Sequence, residues 1–403
     1  MSRFVDILTS ICIILAISPV LLYFAGLSYF KTRHVFCSRH KVGYQGRLFL
    51  ERTFACDGFG KKLPLLFNLL CGDLTWVGVR ALTPEEAQKL PASLIAEHYK
   101  FKPGLISAYR LRHHVGLAYD DEFSIDHEFS AKASFKDRLG LCLRAIVALL
   151  LAGGKELEAP STLHFWGIDI ANTTMNDAID WIDQQVSQKK KCLLAFVNPA
   201  CLNIAYTDQD YRRVLQHADR VLPDGIGIKL GCRLLNQSLI ANVNGTDLFP
   251  RLCKQASEQG YSLFLLGGLP GVAEKTAAAM KEHYPDLLIA GVQDGFFKAE
   301  EEDEIIERIN QSGASVLLAG FGVPKQELWL ERCMDKLNPM ACMGVGGLFD
   351  YYSGRIPRAP LWLREIGLEW LWRLYQEPGR MWRRYLVGNP LFLYRVWRQR
   401  RQG

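Results

Sequence analysis

The 403-residue chain predicts an α/β fold: a parallel-sheet domain preceded by a small membrane-associated α+β domain and followed by a basic helical tail. Three observations carry this prediction. From Leu193 to Gly347, short unbroken apolar runs alternate with longer amphipathic ones, the pattern of strands buried on both faces by the helices between them. Ile7–Phe30 is 24 residues without a formal charge, where about 20 apolar residues are enough to meet a bilayer as a helix. The last 49 residues hold eleven Arg, no Lys and three Glu, a net of +8, although the whole chain carries only +6. Five of the nine Trp lie in that same stretch.

These shifts divide the chain into residues 1–155, a core over 162–354 and an appendage over 355–403, with Gly153-Gly154 and a polar stretch to Ser161 at the first boundary. Hydrophobic residues at 49% and charged residues at 22% match ordinary globular usage and exclude disorder, collagen and coiled coil as whole-chain descriptions. The eleven Cys are scattered, with no CxxC and no Cys–His cluster at zinc spacing. That suits buried thiols in a reducing compartment, with neither a disulfide framework nor a structural metal site.

In the N-terminal segment, bulky residues continue to Tyr29 and Phe30, where a cleaved signal peptide would end in small ones. Pro19 interrupts the segment, removing a backbone donor and kinking the helix. Two geometries remain open, a kinked span and a helix that re-enters the leaflet it left. Lys31, Arg33, Arg39, Lys41 and Arg47 follow the segment and only Arg3 precedes it. Positive flanks mark the cytoplasmic side, so the body of the protein is expected at the cytoplasmic face of its membrane in either geometry, anchored by residues 7–30. Leu139–Ala152 is apolar apart from Arg144 and too short to span, which predicts an interfacial or buried helix.

Ser18-Pro19, VFCSRHKVGYQGRLF (Val35–Phe49), LPLLFNLLCGDLTWVGVR (Leu63–Arg80) and FKPGL (Phe101–Leu105) occur in this order. Over about residues 5–154 the chain resembles the bacterial sugar transferases that move a sugar phosphate onto polyprenyl phosphate. The resemblance implies a membrane helix broken at Ser-Pro and an Asp-Glu pair, nucleophile and metal partner, just before the Leu-Pro. Here those positions are Lys61 and Lys62. Ammonium groups neither attack phosphorus as a carboxylate does nor bind Mg²⁺, which takes oxygen ligands. The domain therefore reads as a degenerate relative kept for membrane docking or acceptor presentation. The two lysines are read either as meeting lipid phosphate or as a solvated basic pair.

In the second domain the elements follow in order. Strands are expected at 193–197, 220–223, 262–268, 287–292, 315–322 and 341–347, with helices over Asp210–Ala218, Thr246–Gln259, Gly271–His283, Ala299–Gln311 and Lys325–Lys336. Thr246-Asp247 is placed to cap its helix. Ligands of such sheets bind outside the carboxyl ends of the strands. Asn198, Asp224, Gly267-Gly268, Gly322 and Gly346-Gly347 all fall there and are expected to converge on one rim. Neither a Walker A sequence nor a GxGxxG after a strand is present, which disfavours a nicotinamide oxidoreductase. Asp224, in LPDGIGI, reads as a general base or as a helix N-cap, and pattern leaves both open.

FWGIDI (Phe165–Ile170), VNPACLNIA (Val197–Ala205), ADRVLPDGIGI (Ala218–Ile228), NGTDLF (Asn244–Phe249), FLLGGLPGVAEK (Phe264–Lys275), GFGVPKQELW (Gly320–Trp329), GVGGLFDYYSGRIPRAP (Gly344–Pro360) and LEWLWRLYQEPGRMWRRYL (Leu368–Leu386) follow one another. From about Leu163 to Leu393 the chain resembles the WecG/TagA/CpsF glycosyltransferases. The resemblance implies a Rossmann-like, inverting, metal-independent transferase without cofactor, moving a sugar from a UDP-sugar to a polyprenyl-pyrophosphate-linked saccharide. By position Asp224 matches the proposed general base and Asn198 an active-site Asn. Gln326 is expected to contact the nucleotide-sugar, and Gly225, Gly267, Gly268, Gly346 and Gly347 to let the UDP lie against strand ends. Phe196 stands where many members carry Thr, and Asn242 where many carry Arg. Arg251, Lys325, Arg355 or Arg358 are the candidates to restore the missing charge at the donor.

Clustered Arg and Trp suit an anionic membrane surface, so Arg380, Arg383, Arg384, Trp370 and Trp382 are expected to bind membrane; the alternative is a basic cap packed on the core. The rest of the chain sums to −2, and no nucleic-acid partner is expected. The expected function is glycosyl transfer in exopolysaccharide, capsule or related glycan synthesis, with polysaccharide assembly proteins as further partners. The alternatives are a non-catalytic membrane scaffold and a bifunctional transferase with residual sugar-phosphate transfer.

Overall fold

The structure, a computed structural model, describes residues 3–56, 59–117, 121–152 and 157–402. It forms two compact units, Met1–Lys155 and Glu156–Gly403.

In the first unit the apolar segment is two helices, Arg3–Ala16 and Ser18–Thr32, bent by 71° at the break. Pro19 lies in the first turn of the second helix and the Ser18 hydroxyl donates to Leu15 O (2.9 Å). Fifteen residues at 1.5 Å each reach about 22 Å, short of the ~30 Å hydrocarbon core. Among the described residues no single helix is long and apolar enough to cross a membrane. Both ends of the bent pair are tied to the same unit. Arg3 caps the carbonyls of Leu69 and Leu70, and the Asp6 carboxylate accepts from the Thr75 hydroxyl (3.0 Å). At the far end Ser28 Oγ donates to Val35 O (2.9 Å) and accepts from Ala55 N (2.8 Å). The outer faces carry exposed Phe4, Leu8, Leu15, Leu22 and Phe30. An antiparallel hairpin, Phe36–Val42 with Leu48–Phe54, follows. Lys61 and Lys62 lie exposed in a 3-10 turn before the helix Leu65–Cys71. The helix Phe135–Ala152 buries Leu141, Ala145 and Ala148 against Val77, Leu111 and Ile125, and exposes Leu139, Leu143 and Ile146. It is therefore apolar on two faces, which is why its sequence fits neither a spanning nor a solvated helix.

The second unit is built on six parallel strands: β1 Cys192–Val197, β2 Arg220–Pro223, β3 Ser262–Gly267, β4 Leu288–Gln293, β5 Val316–Gly320 and β6 Ala341–Gly344. Their order across the sheet is β4-β3-β5-β6-β1-β2. β1, β5 and β6 are buried almost throughout, as their unbroken apolar runs require. The chain leaves β3 toward β4 and leaves β5 toward β6 on the other side, so the order reverses between β3 and β5. In open α/β sheets that crevice is where ligands bind.

The helix before β3 starts at Gly245 rather than Thr246. Its cap is Asn244, whose Oδ1 accepts from Asp247 N (2.8 Å), leaving the Asp247 carboxylate for other partners. An antiparallel hairpin, Thr162–Phe165 with Ile168–Ala171, precedes the sheet. The Arg/Trp tail is no loose appendage. Its last helix, Gly388–Gln402, sinks Phe392 and Val396 into the same core as Phe165, Ile228 and Val197, and Asn203 Nδ2 donates to Gly388 O (2.7 Å).

Candidate active site

Asn198, Asp224, Gly268, Gly322 and Gly346 all stand at the carboxyl ends of the six strands. Asp224 follows β2. Its N–H donates to Val197 O at the end of β1 (2.8 Å), and its Oδ2 accepts from Asn198 Nδ2 (3.3 Å). Asn198 is the N-cap of the helix Pro199–Thr207: its Oδ1 accepts from Ala200 N (3.0 Å) and Cys201 N (3.2 Å). Because the cap engages the oxygen, the amide nitrogen has to face Asp224, and the orientation of the pair is set by the backbone. The capping alternative for Asp224 itself fails. The following helix, Ile226–Leu234, has Gly225 at its N-cap and no side-chain capping bond. Burial raises the Asp224 pKa; the Asn198 bond and the Arg384 charge oppose the rise, and Asp247 adds to it. A carboxylate of raised pKa is a better proton acceptor.

On the same rim, at the β3/β5 crevice, lies a pocket of about 600 Å³ lined by Gly268, Leu269, Phe296, Phe297, Gly322, Gly346 and Gly347 and not by Asp224, within the range of small-ligand sites. Lys298, Lys325, Arg355 and Arg380 also line it, against one carboxylate, Asp350. Arg355 Nη1 pairs with that carboxylate (2.8 Å). The balance suits an anion such as a diphosphate.

Several expected roles change. Gln326 is buried: its Oε1 accepts from Gly322 N (3.1 Å) and Gly346 N (3.0 Å), and its Nε2 donates to Glu327 (2.7 Å). It braces two glycine loops of the pocket wall instead of reaching into the pocket. Gly267 does not line the pocket; a Cβ there would lie 2.6 Å from Gly320 O, so its missing side chain lets β3 and β5 close up. Arg358 is held by Asp247 and, at 3.4 Å, by Glu369, which fastens the tail to the Gly245–Gln259 helix, and it does not line the pocket. Arg251 bonds Asp247 O (3.3 Å). Asn242 Oδ1 accepts from Gly225 N (2.6 Å), and the Phe196 ring packs on Gly245.

The five expected membrane residues separate. Arg380 lines the pocket with a side chain that stays largely exposed and pairs with Glu377, and Arg384 lies close enough to lower the Asp224 pKa. Trp370 packs on Tyr385 (5.7 Å). Trp382 and Arg383 are exposed and stacked on one another (5.3 Å). Arg383–Val387 is a π-helical turn, a feature frequent at functional sites. Two further residues escape sequence reasoning. Arg373 donates to the Tyr351 hydroxyl (2.9 Å) and lies 3.1 Å from where a Cβ on Gly347 would be; nothing in the sequence sets it apart from ten other tail arginines. Glu327 is buried, its carboxyl pushed up to about 7 by desolvation, though a Glu in a helix reads as solvated.

Residues 163–403 match the glycosyl transferase WecG/TagA/CpsF family. The chain belongs to that family. It is a glycosyltransferase, and the pocket and Asp224 lie within the matched region. A relative, the N-acetylglucosaminyldiphosphoundecaprenol N-acetyl-beta-D-mannosaminyltransferase of Bacillus subtilis (strain 168), is 30% identical over 226 residues, which are 56% of this chain and 86% of the relative. The family match does not extend to the first unit, where the likeness to sugar-phosphate transferases remains one of motifs.

Proposed function

We propose that this glycosyltransferase moves an N-acetylhexosamine, N-acetylmannosamine as in the Bacillus relative's name, from its UDP derivative to a saccharide on polyprenyl diphosphate, with inversion. The observation that carries the reading is Asp224, a carboxylate of raised pKa fixed on the same strand-end rim that holds a cationic, glycine-lined pocket. Asp224 takes the proton of the acceptor hydroxyl as that oxygen attacks the anomeric carbon from the face opposite the leaving group. The bond to the diphosphate breaks, and UDP departs with its charge met by Arg380, Arg355 and Lys325. Preorganised cations of this kind act where charge develops in the transition state.

A polyprenyl-linked acceptor stays in the bilayer, so the enzyme has to work at the membrane surface. The bent apolar helix pair, both ends tied to one unit, supports a re-entrant anchor at the cytoplasmic face; exposed Trp382, Arg383 and Leu386 on the tail support a second contact. With Lys61 and Lys62 where carboxylates are needed, the first unit serves docking and not sugar-phosphate transfer. The test is turnover of UDP-N-acetylmannosamine, UDP-N-acetylglucosamine and UDP-glucose by purified protein, with N-acetylglucosaminyl-diphospho-lipid as acceptor. UDP release with a disaccharide-lipid product from one donor is expected. Turnover of none of them, or UMP release on polyprenyl phosphate alone, overturns the reading.

A further inference from the structure

We infer that Asn242 is a positioning residue for the catalytic carboxylate: its side-chain oxygen holds the Gly225 N–H and so fixes the turn that aims Asp224. The inference rests on Asp224 being the base.

Gly225 adopts φ 90° and ψ 161°, a region that only glycine occupies readily. A Cβ at this position would meet nothing within 4 Å, so glycine is required here by conformation and not by space. A glycine directly after the reactive side chain is also the most mobile link available, and a carboxylate hinged on it needs restraint on both sides. Before the hinge, Asp224 N donates to Val197 O (2.8 Å), which ties the residue to β1. After it, Gly225 N donates to Asn242 Oδ1 at 2.6 Å. The Gly225 carbonyl then accepts from Ile228 N (3.2 Å) and opens the next helix.

The anchor is itself immobilised. Asn242 is two residues from Asn244, the cap of the Gly245–Gln259 helix, and next to Val243, which is fully buried. Asp247, in the first turn of that helix, is gripped by Asn244 Nδ2 (2.8 Å) and by Arg358 from the tail. The restraint on Asp224 therefore leads back to a rigid element. The bond needs a side-chain acceptor, so a donor-only side chain such as arginine could not make it. The charges bearing on Asp224 are Asp247, Arg373 and Arg384.

The test compares Asn242→Ala and Asn242→Asp with wild type, by hydrogen exchange of the Gly225 amide and by kinetics with whichever UDP-sugar wild type turns over. In Asn242→Ala the Gly225 amide is expected to exchange at least about tenfold faster while β1 and β2 amides keep their rates. Its kcat is expected to fall about 10–100-fold, the cost of a misaimed group, with donor KM within about threefold. Asn242→Asp keeps the acceptor. It is expected to retain kcat at high pH while its acid limb moves to higher pH, because a second carboxylate disfavours ionisation of Asp224. Unchanged Gly225 exchange in Asn242→Ala overturns the inference whatever the sugar. So does a raised donor KM with unchanged kcat, which would make Asn242 a donor contact, and so does Asn242→Asp losing as much as Asn242→Ala above the limb. If Asp224→Asn proved as active as wild type, the base assignment would fall, and the exchange result would still report on the bond.

Discussion

Replacing Asp224 by Asn removes the proton acceptor and almost nothing else. The new side chain is the same size, and its oxygen still accepts the Asn198 Nδ2 bond seen at 3.3 Å. Loss of a general base lowers kcat about 10²–10⁴-fold, or about 2.7–5.4 kcal/mol at 1.36 per tenfold. UDP binding is expected to stay within about twofold, because the cationic pocket is untouched. Stability should move the opposite way from activity. Burial raises the folded pKa of Asp224 above its ordinary 3.8, so in the folded protein the group holds its proton where the unfolded chain has lost it. Its contribution is therefore complete below 3.8 and is lost as pH rises through the folded value. The asparagine escapes this loss, so the variant should gain in Tm relative to wild type from pH 4 upward and plateau above the folded pKa. Single-turnover transfer gives the rate, calorimetry with UDP the binding, and thermal unfolding between about pH 4 and 9 the stability. A folded variant with wild-type kcat, or one less stable than wild type at high pH, refutes the argument.

Arg380→Glu should weaken UDP binding about tenfold or more by calorimetry, since it reverses a charge in the pocket wall, whereas Arg383→Glu should leave UDP binding unchanged and reduce co-sedimentation with anionic liposomes, where each basic residue contributes about 1 kcal/mol. Gln326→Ala strands the Gly322 and Gly346 N–H groups, at about 1–3 kcal/mol each if water does not reach them; urea unfolding reads the loss, and donor KM should rise as the two loops loosen. Phe392→Ala should cost about 3–5 kcal/mol as a fully buried ring is lost, and in the same thermal scans both the tail and the β1 side of the sheet should melt earlier.

The sheet was legible because its strands are buried on both faces and read as unbroken apolar runs. The rim was legible because glycines and polar residues cluster where those runs end. The helix Pro199–Thr207 is harder to see. Its residues are nearly as apolar as β1, and only Asn198-Pro199 marks the break. Capping misleads over a single residue: Thr246-Asp247 and Asn244 are all good cappers, and only coordinates show that Asn244 takes the role. The charged groups were least legible. Arg358 and Arg380 have the same formula and lie 22 positions apart, yet one is locked to Asp247 and Glu369 and the other lines the pocket. Charge runs report how much charge a segment carries, not which way each side chain points. Glu327 shows the same limit, since the pattern of its helix gives no sign that its carboxyl lies against Gln326 beneath two glycine loops.

The concentration of Arg and Trp in the last 49 residues has one physical cause for two outward signs. A helical segment has to satisfy both sides at once. Toward the sheet it presents Arg380 to the pocket and Arg384 to Asp224, with Met381 buried between them. Away from it the same two turns present Trp382, Arg383, Leu386 and Val387. Tight burial of Phe392 and Val396 further on fixes the register of the segment, so neither set of residues can turn to the other side without moving the other. The positive charge read from the sequence is therefore shared between a ligand pocket and a surface. Lifting the segment from the sheet would take Arg384, whose charge opposes the rise in the Asp224 pKa, away from that carboxylate.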